Sequence, residues 1–105
     1  MSNGKPRLPW FVEQMKEYDA ELFRLCADSV ETAMAPGALD AKTKYLIVLA
    51  LDALKGAAQG VKVVASQARA AGATEAEIVE ALRLAYYVSG MDVVKSCLNA
   101  FDEGQ

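Results

Sequence analysis

Two thiols and no imidazole set the chemistry open to this chain. With no histidine among its 105 residues, Ser-His-Asp triads, Cys-His pairs and HExxH zinc sites are excluded, because each needs an imidazole as base, acid or ligand. Cys26 and Cys97 stand 71 positions apart, so they make neither a CxxC pair nor a metal-ligand cluster. No metal or other cofactor is expected. Each cysteine lies in an apolar run, FRLCADSV and VVKSCLNAF, where it behaves as a small packing hydrophobe. Inert, reduced thiols are the expectation, and a hydroperoxidase working through Cys26 or Cys97 is the lesser alternative. Glu75, Glu77 and Glu80 read as capping and solvated-face charge, since no apolar pocket can be assigned that would raise a carboxyl pKa. Tyr86 and Tyr87, on an Ala/Leu-rich segment, read as closing a core or a subunit interface.

Charge narrows the partners. A formal net charge of −3 is a poor surface for neutralising many phosphates, so no nucleic acid is expected. No stretch reaches the roughly 20 apolar residues of a spanning helix, and the amino-terminal MSNGKPRLPW lacks the apolar core of a signal peptide. A cytoplasmic protein with no membrane partner is expected. At 53% hydrophobic and 24% charged residues the chain is outside the disordered range, and its length suits one domain.

The elements that must position these residues are helical. Phe11, Met15, Tyr18, Leu22, Cys26 and Val30 recur at spacings of three and four, one stripe on a helix after Pro9, with an interruption near Tyr18 or Asp19 as the alternative. Pro36-Gly37 stops the pattern. Asp40 suits a cap for the next helix, whose Tyr45–Leu51 run is apolar on nearly every face and predicts a central buried helix. Gly56 and Gly72 punctuate the next segment, which turns Val61, Val64, Ala65 and Ala68 inward. Thr74 with Glu77 predicts a capping box for a helix carrying Ile78, Ala81, Leu82 and Ala85. Ser89-Gly90 is expected to interrupt that helix before a last stripe of Val94, Cys97, Leu98 and Phe101. Nothing alternates with period two, so the class is all-α, a bundle of five or six helices.

From Pro36 onward the string PGALDAKTKYLIVLALDALKGAAQGVKVVASQARAAGATEAEIVEALRLAYYVSG resembles the carboxymuconolactone decarboxylase and alkylhydroperoxidase-like family. The elements that carry the resemblance are the LDAKTK opening, the small-residue-rich LALDALKG helix, and ARAAGATEAEIVEAL, similar to an A-x-x-x-G-A-T-x-x-E-I signature. It implies an alkylhydroperoxidase-like helical bundle that assembles as trimers, or as hexamers built from dimers. Residues 1–35 then form a lead-helix region and residues 36–105 the core of the single domain. The unusually apolar Tyr45–Leu51 helix gives a separate reason to expect a homo-oligomer.

The family's redox branch carries CxxCxxxH after that opening, with a glutamate twelve residues before the first cysteine. Counting back from Gly72, the cysteine positions fall on Ala57 and Gly60, the histidine on Val64 and the glutamate on Tyr45. The decarboxylase branch keeps the histidine, which this chain also lacks, so neither inherited chemistry is supported. Two readings follow for Tyr45, Ala57, Gly60 and Val64. In one, a small anionic molecule approaches the amides at a helix start, with Lys55 or Lys62 as counter-charge and the Tyr45 hydroxyl as donor. In the other, Gly56 and Gly60 let helices pack closely while Tyr45 and Val64 fill the space. A redox-silent ligand-binding or ligand-transforming member and an oligomeric interaction or scaffold protein are the two function classes.

Overall fold

Every regular element is helical across residues 7–104, the span described in a computed structural model. Part of the amino-terminal segment read above for a targeting signal lies outside those residues. In order, the elements are α1 (Trp10–Met15), α2 (Ala20–Met34), α3 (Ala41–Lys55), α4 (Ala58–Ala70), α5 (Glu75–Cys97) and a closing 3-10 turn (Leu98–Phe101). The chain divides into two compact units, Met1–Ala41 and Lys42–Gln105.

In the first unit the stripe from Phe11 to Val30 is carried by two helices. Pro9 stands immediately before α1, and the chain turns at Lys16–Tyr18 before Asp19 caps α2, its Oδ1 accepting the Leu22 amide at 3.0 Å. An extended residue with a short acceptor side chain satisfies one of the amides that a new helix leaves unpaired, which fixes the break here. Val12 is buried, whereas α2 buries no residue fully and Cys26 is half-buried.

In the second unit α3 and α4 end by the same device. Gly72 takes φ +103°, its amide donates to the Arg69 carbonyl, and the Ala73 amide reaches back to Ala68 at 2.9 Å. Gly56 takes φ +75°, with matching bonds from Gly56 to Ala53 and from Ala57 to Asp52. These are Schellman caps, in which a left-handed residue lets two amides recover orphan carbonyls of the last turn. A Cβ on either glycine would meet nothing within 4 Å, so both are required for backbone conformation and not for room.

Between these turns Leu49, Ala68, Ala73 and Ile78 form the core, with Tyr45, Leu46, Val61, Val64, Ala65 and Leu82 packed against it. Ala68 and Ala73, bonded across the cap, are thus also the apolar contact that closes it. The capping box at α5 is complete: Thr74 Oγ1 accepts the Glu77 amide at 3.1 Å and the Glu77 carboxylate accepts the Thr74 amide at 2.9 Å. Glu77 also accepts from Lys42 Nζ at 3.0 Å, tying the start of α5 to the first turn of α3.

Three expectations fail. Helix α5 runs unbroken through Ser89-Gly90, because one glycine costs a helix only about 1 kcal/mol relative to alanine and the hydrogen-bond ladder on both sides carries across it. Helix α3 is not buried all round: Leu49 is fully enclosed, but Ile47, Leu51 and Leu54 are exposed, since the small core uses one face of the helix. Cys97 is exposed near the end of α5 and not packed, because the segment after Ala85 lies beyond that core.

Candidate functional site

The four positions singled out by the family pattern fall on α3 and α4. Ala57 is the N-cap of α4, with no side-chain cap of its own. Gly60 follows in the first turn, and a Cβ built on it would stand 3.6 Å from the Ala57 Cβ. That separation is within the range of a disulfide-bridged pair, so the two positions have a spacing that a CxxC pair could use. Tyr45, on α3, and Val64, one turn beyond Gly60 on α4, are both half-buried against the Leu49 core.

Sequence reasoning missed Asp52. Its Oδ2 lies 2.7 Å from where a Gly60 Cβ would be, so any side chain at position 60 would require the Asp52 carboxylate to shift. The signal was present: Asp52 is the one acidic residue in the α3 sequence AKTKYLIVLALDALK. A negative group beside the first turn of α4 is favoured by the positive end of the helix dipole. An added anion there would meet Asp52 first. Lys55, in the last turn of α3, and Lys62, in the second turn of α4, are exposed.

The acidic residues of α5 act as structure. Glu75 accepts from Nε and Nη2 of Arg69 across the α4–α5 turn, and this hydrogen bonding holds its carboxyl below, and the guanidinium above, their ordinary values. Glu77 is also held low, first by the Thr74 amide and then by Lys42. Both carboxylates remain ionised near neutral pH and cannot serve as protonated acids there. Among the described residues no three of the acidic and sulfur-bearing side chains gather into a metal site. No described helix is long and apolar enough to cross a membrane.

Two grooves lie in the second unit away from Ala57 and Gly60. One, of about 430 Å³, is lined by Leu46, Ile47, Leu51 and Leu84 together with Glu77 and Glu80; the other, of about 410 Å³, lies along α5 between Val79, Leu82, Arg83 and Tyr86. Both are mainly apolar, and neither gathers the convergent polar groups that orient a small substrate.

Searches of curated proteins and of solved structures each gave no match. A sequence model of the carboxymuconolactone decarboxylase family matches residues 20–103, beginning in α2 and so including part of the segment that the sequence reading set apart as a lead region. With most of the chain matched and every described element helical, this protein belongs to the carboxymuconolactone decarboxylase family.

Proposed function

We propose that this chain is a member of the family without thiol chemistry that works as a self-associating interaction protein. The observation that carries this reading is the apolar surface left on the second unit. Ile47, Leu51 and Leu54 are exposed on α3, as are Leu84, Tyr86, Tyr87, Val88, Met91, Val93 and Val94 on α5. A helix apolar on most of its faces is one that something covers. At the positions of the family motif the side chains are otherwise occupied. Tyr45 and Val64 pack on the core and Asp52 lies against Gly60, which favours structural packing over an anionic ligand at that place.

Co-expression of two differently tagged copies tests the proposal. Retrieval through one tag should bring down the other copy in comparable amount at micromolar concentration. Recovery of the tagged copy alone would contradict it.

A further inference from the structure

We infer that the groove between α3 and α5 is the docking site for an amphipathic helix of a different protein, one whose carboxy-terminal end carries lysine or arginine. The inference stands apart from self-association, since the occupant is not a copy of this chain. Both walls of the groove are helix faces. Thr43, Leu46, Ile47, Ala50 and Leu51 follow at spacings of 3, 1, 3 and 1 on α3, and Glu77, Glu80, Ala81 and Leu84 at 3, 1 and 3 on α5. These are single-face spacings, so the groove follows both helices for about 12 Å, two turns of a third helix. Its floor is small, with Ala81 buried and Ala50 half-buried, while Ile47, Leu51 and Leu84 are exposed at the rim. Small residues between apolar rims admit a helix that lays side chains at i, i+3, i+4 and i+7 into the groove.

Charge decides which helix. Glu77 and Glu80 stand in the first two turns of α5, and Lys42 at the start of α3 bonds to Glu77 at 3.0 Å. One end of the groove is therefore acidic and the other, at Leu51 and Leu84, apolar. Glu77 is occupied by Lys42, but Glu80 is exposed, and its carboxylate has no cation or hydrogen-bond donor among the described residues. A lysine or arginine on the incoming helix supplies that partner. It sits best at the carboxy-terminal end, where the helix's own dipole favours a cation, so the incoming helix runs antiparallel to α3 and α5. The groove does not complement itself. Set antiparallel on its own copy, Glu80 would cover apolar rim; set parallel, the glutamates of both grooves would meet. Nor does the end of α5 supply the occupant, because Asp102 and Glu103 follow it and would stand against Glu80.

Peptide titration tests the site. Two stapled helices of about twelve residues are compared, both with leucine at i, i+3, i+4 and i+7, one with lysine and the other with glutamate at i+11. Followed by fluorescence anisotropy against the full chain at low ionic strength, the lysine peptide should bind about tenfold more tightly, since attraction to Glu80 in one is matched by repulsion in the other. Glu80→Lys should reverse that order, and Leu51→Lys should weaken both peptides. Both substitutions are at exposed positions, so the helical circular dichroism should be unchanged. The same order of peptides in Glu80→Lys would overturn the charged end and with it the inference. No binding of the lysine peptide to the unsubstituted protein would overturn the groove as a docking site. Dissociation of an oligomer as that peptide is added would show a second copy in the groove, which also overturns it. The mass of the unsubstituted protein without peptide judges self-association separately.

Discussion

At the scale of single residues, Ala57 and Gly60, where the resemblance would set the family's two cysteines, carry no thiol. Peroxide reduction needs an attacking thiolate and a second thiol to resolve the sulfenic acid, and Ala57 and Gly60 supply neither. Cys26 lies on α2 and Cys97 at the end of α5, and they stand too far apart in sequence to form a CxxC pair. No hydroperoxide turnover with dithiol reductants is expected, and replacing both cysteines by alanine should leave the background rate unchanged; activity lost with Cys26→Ala or Cys97→Ala would restore the peroxidase reading. The backbone makes a complementary prediction. Ala57→Cys with Gly60→Cys, made together with Asp52→Ala to clear the approach to Gly60, should form an internal disulfide under mild oxidation, because the two Cβ positions stand 3.6 Å apart. Persistence of two free thiols in the folded variant would contradict the assigned register. Counting back from Gly72 led to Ala57 and Gly60, and the structure has a helix start there, a local feature that glycine punctuation makes legible. Asp52 escaped notice because its relation to Gly60 depends on how the Gly56 turn folds α4 back beside the end of α3.

At the scale of elements, punctuation was legible and burial was not. Gly56, Gly72 and the Thr74–Glu77 box all appear at the expected boundaries, because each is decided by hydrogen bonds within a few residues of the chain, whereas the break that Asp19 caps follows the alternative reading of that segment and not the single helix. The Ser89-Gly90 break failed because a local preference of about 1 kcal/mol does not end a helix with an intact ladder on both sides. The predicted burial of α3 failed for another reason: apolarity says that a face is to be covered but not by what. Thr74→Ala should lower stability by about 1 kcal/mol through loss of the cap, read as a shift in denaturant midpoint. Glu77 adds a pH dependence of definite sign. Its folded pKa is depressed by the Thr74 amide and by Lys42, so its stabilisation is complete above the ordinary glutamate value of about 4.3 and is lost as pH falls through the lower folded value. Glu77→Gln should therefore be less stable than the unsubstituted protein at pH 7, with the difference shrinking on acidification. An equal difference at pH 7 and at pH 3 would show that the charge of Glu77 contributes nothing.

At the scale of the whole molecule, the account turns on what the apolar side chains of α3 and α5 are for. Leu49, Ala68, Ala73 and Ile78 make a small core, while Tyr87, Val94 and Phe101 are more than half exposed. Leaving several large side chains in water forgoes roughly 1.5–3 kcal/mol for each one that could be fully covered, which is the driving force available to association. Neither the fold nor the family requires catalysis of this chain, since function resides in sites and not in folds. Light scattering coupled to size separation, on the unsubstituted protein at micromolar concentration, tests the central claim most directly. The predicted result is a mass of two or more times the 11.3 kDa chain; a single species of 11.3 kDa, unchanged as concentration rises, would contradict it.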